Sequence, residues 1–580
     1  MSNSADTKDS APLSSPPVDE TAFLPLAAND GGKSTTNASA KKMDGAGRGS
    51  DDAAAAAFGT NSVTSYDKHA AEVLDEAAVE AAGQESGTSL YIWTLTAISA
   101  VSGALFGYDT GAINSVLVQV GTDIDGRPMT DGEKELITSG LAVGAIVGSI
   151  LIGYLSDRLG RKRSLVFCDA LFIAGAVVQA AISSKWPFIV GRFIMGIGVG
   201  AASQLAPVFI SEISPVNVRG RLVTLNVVAI TFGQVLATAI GAGFANVAAG
   251  WRWTIAIGAI APLIQGVVIE VFFPESPRHL IKTGKADAAA KVLAKMYPRA
   301  SEDQLQAKVD VLQRRIASDT KTAWTKYKDL VTVGQLSRAS ILAALLQVAQ
   351  QLSGFNALMY YSATIFSLAG LKNSTATSLV VSGVNFVVTC IAVLFLDRFG
   401  RRNFLKVTIP IMIFGLLFST VVFYYMTAPT DHYLRDGFEY DKKLSSVMIF
   451  SMVIFVAGYA GGLGHVPWSA GDFFDQDHRG VGASVGAFAN WSMNLVVSST
   501  FLLLLKSITP AGTFGFYAGL STLLAAIIYF TYPETLGLPL EQACSTVDGG
   551  FHVKRSEMLR KQNVRMLRER KLGGGAGASA

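Results

Sequence analysis

The sequence predicts an all-α membrane protein with twelve transmembrane helices in two six-helix bundles, and three observations favour this fold class. The 580 residues are 50% hydrophobic and only 16% charged, with a mean hydropathy of +0.38, outside the usual range of soluble domains. Apolar segments of about 20 residues, the length that crosses a bilayer, recur along the chain. A charged motif in the first half of the chain returns at the matching place in the second half.

Charge and cysteine content exclude several other classes of protein. The formal net charge is only +4, and it comes from short basic clusters that set orientation in a bilayer rather than bind nucleic acid. Cys168, Cys390 and Cys544 match no metal-binding spacing and are too few for a disulfide framework. The chain shows no nucleophile with a base, metal cluster or phosphate loop, so we expect neither an enzyme nor a cofactor.

The N-terminal tail, residues 1–88, is rich in Ser, Ala, Asp and Gly and poor in large apolar side chains. Such a segment buries too little surface to offset its ordering entropy, which predicts disorder. It lacks the apolar region and cleavage site of a signal peptide, so the first span is expected to direct insertion.

The apolar segments fall into two groups of six, which we number as spans one to twelve. The first group occupies residues 89–274, with spans near 90–113, 135–156, 164–182, 187–210, 222–245 and 252–273. The second occupies residues 335–532, with spans near 336–368, 376–396, 403–427, 445–468, 481–506 and 513–532. Residues 275–334, between the groups, have the amphipathic spacing of short surface helices.

Basic residues in short loops predict the orientation of the spans. They follow spans two, four and eight, which places these loops in the cytoplasm. An even number of spans then puts both termini there, including a C-terminal tail of residues 533–580. The first outward loop, GTDIDGRPMTDGEKE, is comparatively acidic.

Two charged signals recur in the same order in both halves. LSDRLGRKR after span two matches LDRFGRR after span eight, and their acids, Asp157 and Asp397, are 240 positions apart. After spans four and ten, an acid precedes an arginine by seven residues; these pairs are Glu212 with Arg219 and Asp472 with Arg479. The order predicts a duplicated six-helix unit, in which two bundles rock about a central site.

Polar side chains within the predicted spans mark candidate functional positions. Asp109 lies in span one, where a charge is costly unless it is paired, and Arg192 in span four is the expected partner. Burial and a neighbouring cation change the proton affinity of a carboxylate in opposite directions, which suits a proton carrier. A permanent structural ion pair is the alternative interpretation.

Span seven contains QQLSGFNALMYY, at 350–361, with amides that can both donate and accept hydrogen bonds. On an unbroken helix Gln350, Gln351 and Asn356 do not share one face, so their convergence requires an interruption near Gly354. Tyr360 follows on the same segment. For each amide taken alone, a hydrogen bond between helices is the alternative.

Eight motifs in order resemble the sugar porter family of the major facilitator superfamily, across most of residues 90–541. They are GYDTG at 107–111, GYLSDRLGRKR at 153–163, GRFIMGIGVG at 191–200, PVFISEISPVNVRGR at 207–221, PESPR at 274–278, QQLSGFNALMYY at 350–361, LDRFGRR at 396–402 and PETLGLPLE at 533–541. Within that family, HVPWSAGD, RGVGAS and NWSMNLVVSSTF are most similar to the fungal myo-inositol transporters.

The resemblance implies the major facilitator fold and roles for several residues. It implies that the repeated charges form a cytoplasmic gate that locks the bundles while the outer side is open: Asp157, Arg161, Glu212, Arg219, Asp397, Arg401, Asp472 and Arg479. If these charges served topology alone, the acids at fixed offsets would stay unexplained. The resemblance also makes an aspartate at Asp109 typical of proton-coupled members. It adds five substrate-binding candidates: Gln234, Asn385, Trp468, Asn490 and Trp491.

The chain departs from the family pattern after span ten. The family usually has S-E-[IL]-F-P where residues 471–475 read GDFFD, which puts the second half of the gate in doubt. His465 is also unusual, and it could tune substrate or pH response or simply hydrogen-bond a neighbour.

Together these features predict a proton symporter for myo-inositol or a similar cyclic polyol, working by alternating access in the plasma membrane. A hexose carrier is the alternative within transport, because both substrates are polyhydroxylated six-membered rings. A nutrient sensor of the same fold, which binds but moves little, is the alternative outside transport. The expected partners are the polyol or sugar, the proton and the lipid bilayer, without nucleic acid.

Overall fold

The structure is a computed structural model that describes residues 89–318, 321–475, 477–536, 538 and 540–573, without some of their side chains. The predicted disordered tail, residues 1–88, lies outside the described residues, and so do the side chains of Arg219 and Asp397. Within the described residues, every regular element is a helix.

Twelve helical segments of the described chain are long and apolar enough to cross a bilayer, which confirms the predicted number. Spans one to six are Leu90–Gln119, Asp131–Leu159, Arg161–Ala181, Lys185–Ile213, Gly220–Gly243 and Gly250–Phe272. Spans seven to twelve are Gly334–Leu368, Ser374–Leu396, Arg401–Met426, Lys442–Phe473, Arg479–Ser507 and Thr509–Thr531.

Three spans are composite. Span six joins Gly250–Gly258 to Ile260–Phe272, and span seven joins Gly334–Leu352 to Phe355–Leu368. Span ten is an α-helix, Lys442–Gly461, followed by a 3-10 helix, Val466–Phe473.

Short helices lie outside the spans. The interval between the halves holds Pro277–Lys282, Ala286–Met296, Glu302–Ser318 and Ala323–Thr332, and a 3-10 turn at Ala428–Thr430 follows span nine. After span twelve come Leu540–Ser545 and Val553–Gly573. The last helix docks on the start of span nine, because the Glu557 carboxylate accepts hydrogen bonds from Arg402 Nε at 3.0 Å and Lys406 Nζ at 2.7 Å.

Glycines let helices within each half touch backbone to backbone. A Cβ atom built on Gly144 of span two would lie 2.1 Å from the carbonyl oxygen of Phe193 in span four, and one on Gly200 would lie 2.1 Å from that of Ala145. Such a contact is forbidden to any side chain, so only glycine permits these crossings. Spans nine and ten meet in the same way at Gly415, where a Cβ would lie 2.3 Å from the Phe455 nitrogen.

We call the contact surface between spans one to six and spans seven to twelve the seam. Across it, span two packs on span eleven, span five on span eight, and span one on the second helix of span seven. We call the end of the spans that carries Arg161 and Arg401 the basic face, and the opposite end, which carries Asp131 and Lys506, the far face. The basic face is the one expected in the cytoplasm.

Candidate functional site

The break in span seven brings its polar side chains to one place. The first helix ends at Leu352, and Gly354 takes a left-handed conformation, with φ +80°, before the second helix begins at Phe355. Ser353 supports the turn, since its hydroxyl donates to the Gln350 carbonyl at 2.7 Å. The predicted interruption lies at the glycine where the spacing of the amides required it.

A buried cluster of amides forms around this break. Asn356 Nδ2 donates to Gln351 Oε1 at 2.7 Å, although the two residues belong to different helices of the span. Gln351 Nε2 in turn donates to Asn490 Oδ1 of span eleven at 3.1 Å. Gln350 faces span ten and donates to the carbonyl of Leu463 at 2.8 Å. The cluster therefore joins spans seven, ten and eleven.

Two further amides belong to the cluster and were missed in the sequence. Gln347 Oε1 accepts from Asn490 Nδ2 at 2.7 Å, and Asn494 Nδ2 donates to Gln351 Oε1 at 3.1 Å. Asn494 Oδ1 also accepts from the hydroxyl of Tyr360 at 3.3 Å. A signal was available, because Asn494 lies one helical turn after Asn490, and Gln347 one turn before Gln351.

Other substrate candidates lie in the seam. Asn385 Nδ2 of span eight donates to Gln234 Oε1 of span five at 2.7 Å, so this pair of amides bridges the two halves. Trp491 is fully buried and packs edge-on against Phe106 of span one, with ring centroids 5.2 Å apart. Its indole N–H finds no hydrogen-bond partner among the described residues. A buried donor of this kind is suited to a ligand hydroxyl.

Trp468 and His465 lie away from the amide cluster's hydrogen bonds. Trp468 is half-buried in the 3-10 helix of span ten, and none of the hydrogen bonds of the described residues links its side chain to the cluster. His465 is buried, and its Nδ1 lies 3.1 Å from the Ala460 carbonyl, which is the local hydrogen bond considered above.

The predicted pair of ionisable residues is a buried ion pair within the first half. Arg192 Nη1 contacts Asp109 Oδ1, and the two side chains are only 1% and 5% exposed. Asp109 Oδ2 and Arg192 Nη2 have no hydrogen-bond partner within the part of the chain that the structure describes. A cavity of about 10 Å³ adjoins them, and all of its lining residues come from the first six spans. That volume admits about one water molecule beside the carboxylate.

At the basic face, the gate charges of the first half form one network. Arg161 donates to Glu212 through Nε and Nη2, both at 3.1 Å, and to Asp157 through Nη1 at 3.2 Å. Asp157 also accepts from Lys282 of the interval helices at 3.0 Å. The two-point contact of Arg161 with Glu212 joins the end of span four to the start of span three.

The second half repeats this network despite its altered motif. Asp472 accepts from Arg401 Nη1 and, at 2.8 Å, from Arg479 Nη2. Arg401 Nη1 also reaches the hydroxyl of Thr535 at 3.0 Å. The shorter acid therefore still pairs with both arginines. Within the described residues, each of these gate ion pairs joins groups of the same half.

At the far face, by contrast, polar groups bridge the seam. Asp131 of span two forms an ion pair with Lys506 of span eleven. The Asn114 side chain accepts from the backbone N–H of Ala363 in span seven at 2.9 Å and donates to Ser378 in span eight at 3.0 Å. Glu135 accepts from the backbone N–H of Leu503 at 2.9 Å. The halves are thus fastened together at the far face.

Comparisons with known proteins agree with this architecture. The profile of the family described as "Sugar (and other) transporter" matches residues 95–545. Myo-inositol transporter 1 of Cryptococcus neoformans var. grubii is 43% identical over 84% of this chain and 87% of its own. Myo-inositol transporter 1 of Saccharomyces cerevisiae is 40% identical over 83% of this chain and 84% of its own.

A solved structure shows the same fold. The proton:xylose symporter XylE, a major facilitator protein bound to 6-bromo-6-deoxy-D-glucose, superposes with a TM-score of 0.67 at 26% identity, over 80% of this chain and 100% of its own. The profile, the relatives, the twelve spans and the polar seam lead to one conclusion: this chain belongs to the sugar porter family and is a multi-pass membrane transporter of sugars or polyols, not an enzyme.

Proposed function

We propose that the chain is a proton-coupled symporter of myo-inositol or a similar cyclic polyol, working by alternating access in the plasma membrane with both termini in the cytoplasm. The observation that carries the proposal is the amide cluster at the break of span seven, next to a buried carboxylate–arginine pair in the other half.

The cluster suits a polyol better than a charged or apolar substrate. Each amide offers both donors and acceptors, as a ring of hydroxyls requires. The indole of Trp491 supplies a flat apolar face and an unpaired N–H. The relatives named above are myo-inositol transporters, which favours a cyclic polyol over other hydroxylated substrates.

The Asp109–Arg192 pair supports proton coupling. When a buried carboxylate exchanges its ion-pair partner for a proton, the net charge of its half changes. A net charge within the membrane is costly. Loading a proton there therefore changes the relative stability of the two transport states. The solved relative with this fold is a proton:xylose symporter.

Two alternatives make different predictions. A hexose carrier would use the same amides, so only a substrate panel separates it from a polyol carrier. A sensor was suggested by the altered motif after span ten, but Asp472 keeps ion pairs with both Arg401 and Arg479, so the gate has its charges in both halves.

The test is uptake of labelled myo-inositol, glucose, xylose and sorbitol in transporter-deficient cells, with and without a protonophore. Concentrative myo-inositol uptake that the protonophore abolishes supports the proposal. Preference for glucose identifies a hexose carrier, uptake that only equilibrates identifies a facilitator, and binding without uptake identifies a sensor.

A further inference from the structure

A second buried carboxyl group, distinct from Asp109, lies in the seam at the far face. Glu135 is 7% exposed, and its Oε1 accepts from the backbone N–H of Leu503 in span eleven at 2.9 Å. On the same stretch of span eleven, the hydroxyl of Tyr361 donates to the Ser498 carbonyl at 2.6 Å. Glu135 therefore touches the other half in this structure, in which polar groups fasten the far face.

The charges around Glu135 do not neutralise it. None of the ion pairs within the described residues includes Glu135, and the neighbouring cation, Lys506, is paired with Asp131 instead. The groups that face the carboxyl are a second acid, Asp131 on its own helix, and the phenols of Tyr361 in span seven and Tyr517 in span twelve. An ionised Glu135 is consequently costly to bury, since the backbone N–H groups of Leu503 and Leu502 do not replace its full hydration.

We propose that Glu135 is a proton-binding site that controls closure of the far face. When that face is open, water hydrates the carboxylate. A proton taken from the far side neutralises Glu135, so the seam can close over it at lower cost, while the protonated group still accepts from Leu503 through its carbonyl oxygen. Low pH on the far side thus favours the closed state. At most, the ratio of closed to open molecules rises by the ratio of the proton affinities of the two states.

This inference deepens the proposed symport and rests on it for its role in coupling, but the closure itself can be measured without substrate. Ser362 offers a reporter position, because it is buried in span seven beside Ala363, which Asn114 contacts across the seam. In a background with the three native cysteines replaced by serine, S362C would react with a membrane-impermeant thiol reagent from the far side only when the seam opens. An exposed far-face cysteine, D436C, corrects for the pH dependence of thiol reactivity.

The labelling is measured in an Asp109→Asn background, which removes the proton site of the proposed symport. There the normalised labelling rate of S362C is expected to fall about 2.5-fold between pH 8 and pH 5, if the closed state binds the proton tenfold more tightly than an open state with the ordinary carboxyl pKa of about 4.3. Glu135→Gln, which is neutral at every pH, should label slowly and without pH dependence. Glu135→Asp keeps a titratable group and should keep a pH response. Glu133→Gln is the matched control and should behave as the parent, because Glu133 pairs with Arg127 and Lys185 of its own half and a glutamine can still close the capping box with Thr130.

Three outcomes would overturn the inference: a pH response that survives in Glu135→Gln, labelling that rises on acidification, or a parent protein whose labelling ignores pH. Protonophore-sensitive uptake, measured on the same Glu135 variants with Asp109 restored, separates the two proposals. A pH response at Ser362 without proton-driven uptake would leave Glu135 as the proton site of the closure and would reject symport alone.

Discussion

Gly354 lies directly against the aromatic ring of Tyr517. A Cβ atom at Gly354 would lie 2.9 Å from Tyr517 Cγ, and the backbone there has φ +80°. Both facts require glycine, because the left-handed conformation disfavours other residues and the ring leaves no room for a side chain. This one contact between spans seven and twelve fixes where span seven breaks, and the break assembles the amide cluster.

Gly354→Ala should therefore reduce substrate uptake at least about tenfold, the effect of roughly 1.4 kcal/mol of strain at the site. The matched control is Gly383→Ala in span eight, where a Cβ meets nothing within 4 Å. Uptake kinetics and surface abundance, measured together, distinguish a defect in transport from a loss of protein at the cell surface. Normal kinetics in Gly354→Ala would show that span seven tolerates a different turn.

Gln351→Ala or Asn356→Ala should weaken substrate binding by about 1 to 3 kcal/mol, because each leaves buried partners without a hydrogen bond. The expected result is a raised KM for uptake at unchanged surface abundance. Gln562→Ala, on an exposed position of the last helix, is the control. If both cluster variants transport with parental kinetics, these amides are structural contacts between helices.

Neutralising Arg161 or Arg401 should shift the population toward the state that is open at the basic face. In this structure, where the far face is closed, the ion pairs of each arginine lie within its own half. The prediction requires that the arginines gain contacts with the opposite half when the basic face closes, because a contact made in one state stabilises only that state. The reporter is G480C at the start of span eleven, where a side chain has open space. Arg163→Gln, at an exposed position beside Arg161, is the control. Labelling rates equal to those of the control would leave these charges with a role in topology alone.

Asp109→Asn should abolish accumulation of substrate against a gradient and flatten the pH dependence of uptake, yet leave exchange of substrate. The amide keeps the shape of the side chain and some hydrogen bonding to Arg192, but it carries no proton to release. Counterflow in proteoliposomes measures the surviving exchange. Concentrative, acid-stimulated uptake in this variant would move the coupling site to Glu135, to His465 or to Asp169, which is buried in span three and has an oxygen without a hydrogen-bond partner among the described residues.

Docking of the last helix should depend on pH through Glu557. The hydrogen bond from Lys406, with a smaller one from Arg402, lowers the pKa of Glu557 despite its partial burial. A lowered pKa means that the docked state is favoured above the ordinary carboxyl pKa of about 4.3 and loses this contribution as the pH falls through the lowered value. Hydrogen exchange in residues 553–565 should therefore be slow at pH 7 and faster, after correction for intrinsic rates, near pH 3. Glu557→Gln should lose this acid-induced change, whereas Glu302→Gln in the interval helices should keep it.

The number and positions of the spans could be predicted because hydropathy is a local property of the sequence. The break in span seven was also predictable, since Gln351 and Asn356 could meet only if the helix stopped between them. The identity of the other amides that join them in the cluster was not predictable in the same way. Gln347 and Asn494 face the cluster because of how spans seven and eleven are rotated about their axes, and rotation follows from packing against neighbours.

Glu135 shows a different limit of prediction from the sequence. The sequence analysis placed it at the boundary between the acidic outward loop and span two, but span two begins earlier, at Asp131, because Thr130 and Glu133 form a capping box there. This additional helical turn points Glu135 toward span eleven, where the side chain is buried. A cap of two residues thus decides whether a carboxylate lies in water or in the seam.

The glycine crossings have a consequence for how such a chain can diverge. Where backbones touch, as at Gly144 and Gly415, a substitution must displace a whole helix, so these positions admit almost no change. The seam is built from side chains, which can be exchanged singly without moving any helix axis. Substrate preference can therefore change through single substitutions of amides and aromatic residues in the seam, while each half keeps its internal geometry. A chimera in which one half comes from a relative should consequently fold.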